Sequence, residues 1–283
     1  MSRPQKTTFQ FDKVSPEIEV SLPWNLTEAQ LLTFVPFNNW LETLKKSLSE
    51  QKDDPEHPFR KDPYSLRFID IHAANWFETK TGPKLGFLTM EAVVRNNNNK
   101  DNSLPGVIFL RGGSVAMLMI IKSDTNSDDR WVIMTQQPRI PAGSLNFFEI
   151  PAGMIDEKEE FAGAAAREIE EETGIKVSKR SLIDMTALAL ESASSSESHL
   201  QKAMYPSPGG SDEFIALFLY QATMSETRIN GMKGNLRGLR GEKITVKLVK
   251  YEELWREGAR DAKTLAAWAL YEGLIREGKI RRR

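Results

Sequence analysis

The 283-residue sequence contains no cysteine. This absence excludes disulfides, thiolate nucleophiles and zinc–thiolate sites together, and it suits a reducing compartment. Histidine is scarce, because only His57, His72 and His199 occur and their spacing matches no metal motif. No apolar run approaches the ~20 residues of a transmembrane helix. Residues 1–20 also lack the apolar core of a secretory signal. We therefore expect a cytoplasmic protein without a membrane partner, while an organellar location stays open.

An excess of charge of either sign is also missing. Lysine and arginine total 38, aspartate and glutamate total 39, and the formal net charge is −1. A whole-chain field this weak does not favour nucleic acid as a partner. The hydrophobic fraction of 40% and the charged fraction of 27% are those of an ordinary globular protein.

Three segments are predicted along the chain. Residues 1–65 form an N-terminal extension, in which Thr27 is a candidate N-cap and a second helical pattern precedes a proline-rich, charged linker at 51–63. Residues 66–104 contain two strand-like runs joined by a turn and form a small β domain. Residues 105–283 alternate strands with two substantial helices, which indicates an α/β or α+β sandwich.

The first strands of the third segment carry a nearly continuous apolar run within residues 106–123. Such a run is typical of a strand that is buried on both faces. Its glycine pair, in residues 111–114, favours a turn between strands over a phosphate-binding loop. The chain ends in a further helical pattern at residues 261–278.

The segment GMIDEKEEFAGAAAREIEEETGI, residues 153–175, concentrates negative charge. Strong helix formers precede Gly174, which is well placed to end a helix. On that helix Glu168, Glu171 and Glu172 share one face, where like charges cost roughly 0.2–0.5 kcal/mol per pair. A solvated acidic face is one interpretation. The other is a site for a hard divalent cation, which would make the cluster favourable.

The spacing favours the second interpretation. Gly153 is followed by five residues, Glu159, seven residues and then REIEEETGI at 167–175. This pattern matches every fixed position of the Nudix box, and the chain resembles the Nudix hydrolases, which cleave nucleoside diphosphates linked to another moiety. The resemblance implies an α/β/α sandwich with a mixed sheet, preceded by a smaller helical/β domain. The box would form a loop–helix–loop.

The same resemblance implies roles for individual residues. Those expected to bind Mg²⁺ or Mn²⁺ are Glu168, Glu172, Glu171 and the backbone carbonyl of Ala152. Arg167 would orient the glutamates by ion pairing, and it is expected with Glu171 among the catalytic residues. Glu159 would support the metal-binding residues or contact the metal as an additional ligand, and Gly153 is assigned to substrate binding.

The flanks of the box indicate the substrate class. FFEIPAG, residues 147–153, resembles the segment before the box in the ADP-ribose and ADP-sugar branch, so Glu149 is a candidate contact to metal or substrate. The alternative for Glu149 is an exposed residue at a strand edge. QQPR, residues 136–139, resembles a segment of the same branch whose arginine reaches the substrate, here Arg139. Gln136 replaces the branch's glutamate.

YPSPGGSDE, residues 205–213, resembles the branch's loop whose glutamate positions or activates the attacking water. Glu213 is the matching residue and is expected to be catalytic, provided that it lies within one water of the diphosphate. The alternative is a surface loop with incidental acidic residues. A serine-rich insert at 192–203 lengthens the path from the box to this loop.

Residues 15–278 together resemble the plant-type ADP-sugar diphosphatases of the Nudix family. That resemblance implies Mg²⁺-dependent hydrolysis of ADP-ribose or ADP-glucose to AMP and a sugar phosphate, by a homodimer. Residues 66–104 could serve in dimerisation. Plant members carry a transit peptide that is not evident here, so a plastid location does not follow. The alternatives are hydrolysis of dinucleoside polyphosphates, NADH or oxidised nucleotides, and non-catalytic binding of ADP-ribose.

Overall fold

The chain falls into two units in a computed structural model. The first unit comprises Met1–Gly112, Ser195–Gln201 and Ser207–Glu213, and the second comprises Gly113–Ser194, Lys202–Pro206 and Phe214–Arg283. The residues that the structure describes are 5–10, 17–79, 82–126, 129–155, 160–191, 197–232, 234, 236–237 and 243–282.

The first unit is built on a mixed sheet. Its strands are β1 (Gln5–Gln10), β2 (Glu17–Leu22), β3 (Tyr64–Thr79), β4 (Gly82–Asn96), β5 (Ser103–Leu104) and β6 (Val107–Leu110), and its helices are α1 (Glu28–Thr33) and α2 (Val35–Asp53). The strand order is β1-β2-β3-β4-β5, and β6 also pairs with β4. β2 and β3 are parallel, while the other pairs are antiparallel. The long pair of β3 and β4 confirms the predicted strands at 66–104.

Local sequence explains the start of the helices. Thr27 caps α1 in a capping box with Gln30, which confirms the predicted N-cap. Pro36 occupies the first turn of α2, where a missing N–H costs nothing. The helix then continues to Asp53 and so includes the first three residues of the stretch predicted as a linker.

A single apolar cluster holds the first unit together. It combines Leu22 and Phe37 from the predicted extension with Ile69, Leu88 and Leu110 from the following strands. Residues 1–65 and 66–104, which composition separates, therefore pack around one core. The reason is that α2 needs an apolar surface for its buried face, and β3 and β4 offer one.

The second unit contains a larger sheet. Its strands are β7 (Ser114–Ser123), β8 (Arg130–Arg139), β9 (Ser144–Glu149), β10 (Ala152–Met154), β11 (Ile183–Asp184), β12 (Ile215–Met224), β13 (Leu236–Arg237) and β14 (Ile244–Lys250). The helices are α3 (Phe161–Thr173), α4 (Met185–Leu190), α5 (Glu226–Met232), α6 (Leu254–Glu257) and α7 (Ala262–Arg276), with single 3₁₀ turns at Ile140–Ala142, Lys179–Ser181 and Tyr251–Glu253.

Strand order in this sheet is β11-β12-β7-β8-β14-β13, with β10 also on β7 and β9 also on β8. β12 and β7 run parallel and the remaining pairs are antiparallel, so the sheet is mixed. Among the described residues, no helix combines the length and the hydropathy that crossing a lipid bilayer requires.

Helices cover both faces of the central strand β7. Its residues Ala116, Leu118 and Ile120 share a core with Ala267 and Tyr271 of α7. The alternate residues of β7 share a second core with the apolar side of α3. Because successive strand residues point to opposite faces, this continuous apolar strand is buried on both sides, as predicted. The second unit is therefore an α/β/α sandwich with a mixed sheet.

Candidate active site

Helix α3 presents the acidic cluster. The helix ends at Gly174, whose φ of 73° lies in the left-handed region that glycine adopts without strain. Ala164, Ala165 and Ile169 are fully buried against the sheet, which confirms that the helix has an anchored apolar side. The backbone of this helix therefore holds the glutamates of its last turns at defined positions.

Two of these glutamates are buried. Glu168 and Glu172 lie one turn apart and both are among the buried charged residues, whereas Glu170 on the same helix is exposed. They also lie near the C-terminal end of α3, where the helix dipole disfavours negative charge. Neighbouring like charges in this position destabilise the protein by themselves. Such an arrangement fits a site whose purpose is to bind a cation.

The backbone of Gly153 forms the wall against which Glu168 lies. A Cβ atom built on Gly153 would stand 1.9 Å from Cδ of Glu168 and about as close to both carboxylate oxygens. Only glycine leaves room for this carboxylate. The requirement is steric, since Gly153 is not among the glycines with positive φ.

We expect Gly153→Ala to lower kcat/KM for the diphosphate hydrolysis that the box implies by about 100-fold. The reason is that the new Cβ would displace the Glu168 carboxylate by about 1 Å from its expected position as a metal ligand. The fold should persist, because the new methyl group meets the movable end of a side chain. Steady-state kinetics and thermal unfolding measure the two effects. Gly273→Ala, at a position where a Cβ meets nothing within 4 Å, is the control. Full activity of Gly153→Ala would contradict the contact.

Arg167 pairs with two of the glutamates. Its Nη1 donates to Oε1 of Glu168 at 2.7 Å and lies 3.5 Å from Oε2 of Glu171. Its Nη2 donates to the carbonyl of Met154 at 3.1 Å. This geometry brings Arg167, Glu168 and Glu171 together as predicted from the box. It also ties the helix to strand β10, because the guanidinium bridges the two.

Glu172 is a buried acid whose pKa is raised. Its carboxylate accepts hydrogen bonds from the backbone N–H of Ala152 at 3.1 Å and from Nε2 of Gln137 at 3.4 Å. Burial, followed by the charges of Glu168 and Glu149, raises the pKa of Glu172 to about 8 from the ordinary 4.5. The bond from Ala152 opposes this shift. The raised pKa reflects first the removal of this carboxyl from water and then the negative charges beside it.

Glu149 is buried rather than exposed at a strand edge, so that alternative is wrong. Its Oε1 accepts from Nε of Arg139 at 2.6 Å, and its Oε2 accepts from Nζ of Lys263 at 2.7 Å. Burial alone would lower the pKa of Lys263, but the charges of Glu149 and Asp261 outweigh it and the pKa is raised. The buried carboxylate is therefore held by two cations.

Lys263 is a site residue that the sequence does not indicate. It lies 114 residues from Glu149 along the chain, and no local pattern records a pairing over that distance. One sequence feature points to its neighbourhood: Asp261 stands where α7 begins and caps it by accepting from the backbone N–H of Thr264.

The donor set fits a hard divalent cation in part. Glu168 and Glu172 supply buried carboxylate oxygens from one helical face, and the charge of Glu168 contributes to the raised pKa of Glu172. Within the described ranges, however, no three acidic or histidine side chains converge on one point. Glu168 is paired with Arg167, and Glu149 with its two cations. A cation of the Mg²⁺ type commonly needs only one or two protein carboxylates besides substrate oxygens.

Glu213 lies in the first unit. The neighbouring Asp212 anchors the segment, because its carboxylate accepts from the backbone N–H groups of Arg111 at 2.7 Å and Gly112 at 3.0 Å. Burial raises the pKa of Asp212, while these two bonds lower it. Glu213 pairs with Nη1 of Arg111 at 3.1 Å. Its role at an attacking water stays a prediction.

Comparison with known proteins identifies the architecture around the glutamates. A family model described as the NUDIX domain matches residues 113–269, more than half of the chain. The chain belongs to the Nudix hydrolase family. It is 36% identical over 247 residues to Nudix hydrolase 14, chloroplastic, of Arabidopsis thaliana, which covers 86% of this chain and 72% of that protein.

Two further comparisons found an ADP-ribose pyrophosphatase and an ADP compounds hydrolase. The chain is 34% identical over 107 residues to ADP-ribose pyrophosphatase of Bacillus subtilis (strain 168), covering 38% of this chain and 44% of that protein. A crystal structure of an ADP compounds hydrolase superposes with a TM-score of 0.46 at 15% identity, covering 76% of this chain and 99% of that one.

The Nudix box of this chain spans residues 153–175. It begins in β10 at Gly153, runs through α3 and ends beyond Gly174. Glu159, the predicted support of the metal site, lies outside the described residues. Ala152, just before the box, donates its N–H to Glu172, so the segment that should offer a backbone carbonyl is already joined to the acidic helix.

Proposed function

We propose that this Nudix chain hydrolyses the diphosphate of ADP-sugars, such as ADP-ribose and ADP-glucose, to AMP and a sugar phosphate. The observation that carries the proposal is the buried pair Glu168 and Glu172 on α3, inside a complete Nudix box. Arg139 adds positive charge near this pair, since its charge contributes to the pKa of Glu172. A cluster of carboxylates with an adjacent arginine suits a metal-assisted reaction on an anionic substrate.

The substrate class is supported by the segments that flank the box. Residues 147–153 with Glu149, residues 136–139 with Arg139 and residues 205–213 with Glu213 resemble segments of the ADP-sugar branch, although Gln136 replaces the branch's glutamate. The name of the Bacillus subtilis relative, ADP-ribose pyrophosphatase, points in the same direction.

The proposed cofactor is Mg²⁺, with Mn²⁺ as a substitute. Glu168, Glu172, Glu171 and the carbonyl of Ala152 would hold it. When bound, such an ion neutralises diphosphate charge and lowers the pKa of water. The protein contributes the fixed positions of these oxygens: α3 is anchored in the core, Gly153 gives Glu168 its space, and Arg167 aligns Glu168 with Glu171.

The remaining proposed roles belong to side chains that would face the substrate. Arg139 would bind a phosphate through its guanidinium, which suits anionic oxygens. Glu213 would hold the attacking water and accept its proton as the oxygen adds to phosphorus. The bond between that phosphorus and the bridging oxygen breaks, and the leaving phosphate takes the bridging oxygen. One water is consumed for each AMP and sugar phosphate formed.

Product identification from a nucleotide panel tests the proposal. ADP-ribose, ADP-glucose, NADH, diadenosine polyphosphates and an oxidised nucleotide are compared by kcat/KM with Mg²⁺ and with Mn²⁺. We expect the two ADP-sugars to rank first, with AMP as the common product. A higher rank for another nucleotide would move the chain to a different Nudix activity. Tight binding of ADP-ribose without turnover would indicate a sensor.

We also propose that the chain forms a homodimer through the first unit. An aromatic row, defined as Phe77, Phe87 and Phe109, runs across β3, β4 and β6 with successive ring centroids 5.1 Å apart. Phe77, Phe109 and the nearby Val107 are exposed, and exposed apolar patches of this kind often mark protein interfaces.

Sedimentation equilibrium should show a dimer that Phe109→Ser weakens. Trp24→Ser should leave the dimer unchanged, because Trp24 is exposed elsewhere in this unit. A monomeric wild type would exclude it.

A further inference from the structure

Four charged side chains form a continuous chain between α7 and β8 of the second unit. Asp261 caps α7 and accepts from Nζ of Lys263 at 2.8 Å. The same Nζ donates to Glu149 at 2.7 Å, and the other oxygen of Glu149 accepts from Arg139 at 2.6 Å. Charge alternates along the chain, so every neighbouring pair attracts. We call these four residues the charge relay.

Within the relay, Arg139 has the most exposed side chain. The side chain of Glu149 is 2% exposed and that of Lys263 is 16% exposed, whereas that of Arg139 is 40% exposed. Arg139 uses Nε for Glu149, and it makes no other ion pair among the described residues. The two terminal NH₂ groups of its guanidinium therefore remain for an anion. The relay is therefore buried at Asp261 and Glu149, half-buried at Lys263 and open to solvent at Arg139.

We propose that Lys263 is a positioning residue for substrate binding: through Glu149 it holds Arg139 in the orientation that receives a substrate phosphate. This inference rests on the proposed function, in which Arg139 contacts the diphosphate. It assigns Glu149 a role behind Arg139, as the link between a half-buried lysine and a substrate-facing arginine.

The anchor of the relay is rigid, which is why it can position a long side chain. Oδ2 of Asp261 accepts from the backbone N–H of Thr264 at 3.2 Å and from its hydroxyl at 2.7 Å. The same hydroxyl accepts from the backbone N–H of Ile150 at 3.2 Å. The start of α7 is thus fixed to the residue that follows Glu149. An arginine that is held before binding loses less conformational entropy when the ligand arrives.

Removal of Lys263 should break the relay between Asp261 and Glu149. One oxygen of Glu149 would lose its cation, and a buried carboxylate with one missing partner rearranges or takes up a proton. Arg139 would then lose the fixed partner of its Nε. The expected consequence is weaker substrate binding rather than slower chemistry, because the glutamates of α3 are unchanged.

The test measures equilibrium binding of ADP-ribose by calorimetry in EDTA, where no turnover occurs. We expect Lys263→Gln to weaken binding by about 10-fold, and to raise KM far more than it lowers kcat when Mg²⁺ is added. In an Arg139→Gln background, Lys263→Gln should change affinity by less than about twofold. Lys279→Gln, just beyond the other end of α7, is the control and should bind as the wild type does.

Urea unfolding without ligand provides a second, independent measurement. A double-mutant cycle of Lys263→Gln and Glu149→Gln should deviate from additivity by about fivefold or more in the unfolding constant. If Lys263→Gln does not fold, Asp261→Asn replaces it, since asparagine caps a helix as well as aspartate does but holds the lysine less firmly.

Two outcomes would contradict a positioning role for Lys263. Equal losses of affinity with and without Arg139 would overturn it, because Lys263 would then act only on the helix. Additive unfolding constants would also overturn it. Failure of the proposed substrate is distinguishable, because the wild type would bind another nucleotide of the panel more tightly, and the same cycle is then run with that nucleotide.

Discussion

Glu172→Gln is expected to lower kcat for ADP-ribose and ADP-glucose by about 10³-fold, since loss of a metal ligand removes several kcal/mol of charge stabilisation. The substitution keeps the size and the hydrogen-bonding reach of the side chain but removes its charge. Its amide oxygen can still accept from the backbone N–H of Ala152, so the surrounding backbone stays in place. Steady-state assays at saturating Mg²⁺ measure the loss.

The same helix supplies a matched control. Glu170 lies two residues before Glu172 and is exposed, with Lys176 as its ion-pair partner at 3.3 Å. Glu170→Gln removes an identical charge at the surface, so its kcat should stay within about twofold of wild type. Equal losses in both variants would show that general electrostatics of the helix, and not a ligand position, causes the effect. Undiminished activity of Glu172→Gln would overturn the metal assignment.

Glu213→Gln in the same assay separates proton transfer from water from binding of the metal ion. A residue that accepts a proton from water affects kcat without changing affinity for the metal. We therefore expect a lower kcat and an unchanged Mg²⁺ concentration at half-maximal rate. A variant with a shifted Mg²⁺ requirement would instead place Glu213 at the metal.

The second large effect of Glu172→Gln is a gain in stability. In EDTA, Glu172→Gln should unfold at a higher temperature than wild type, because wild-type folding buries a carboxyl beside Glu168 and Glu149. The pKa of Glu172 rises from 4.5 to about 8 on folding. Below the lower value the carboxyl is protonated in both states, and its effect is absent. As pH rises towards the upper value, the unfolded state gains from ionisation and the folded state does not.

The stabilisation of Glu172→Gln relative to wild type should therefore grow between pH 4.5 and about pH 8 and then level off. A gain of the order of 1 kcal/mol would raise the midpoint by roughly 2–4 °C. Thermal unfolding of both proteins in EDTA at several pH values measures this. Glu170→Gln should show no such dependence. A gain that is constant across this range would mean that the buried carboxyl does not titrate as described.

These two results would together show a cost in stability that serves function. They would show that the wild-type glutamate destabilises the metal-free fold through the same charge that the proposed reaction needs. Functional sites often retain such unfavourable groups, and their replacement commonly stabilises a protein while it removes activity.

Much of the acidic helix could be predicted from the sequence. The helix 161–173, its end at Gly174 and the shared face of Glu168 and Glu172 follow from propensity and from 3.6-residue periodicity. The apolar run predicted as strand within residues 106–123 formed β7 at 114–123 for a similar reason, because its apolar pattern is local. Nudix membership followed from spacing alone and is confirmed.

The partners of the site could not be predicted in the same way. Glu149 meets Lys263 across 114 residues and Arg139 across a strand pairing with a register shift. Asp212 binds backbone groups about a hundred residues away. Apolar periodicity predicts which face of a helix or strand is buried. It does not predict which distant charged side chain that element will contact.

The sequence by itself determined the Nudix box, the reaction class that it implies and the helix that carries its glutamates, because these depend on spacing within a few turns. Only the tertiary structure decided that Glu149 is buried, that Gly153 leaves space for Glu168, and that Lys263 stands behind Arg139. It also decided that residues 107–110 and 114–123, one apolar run in the sequence, belong to sheets of different units. Those outcomes depend on which surfaces pack together, and packing is a property of the whole fold.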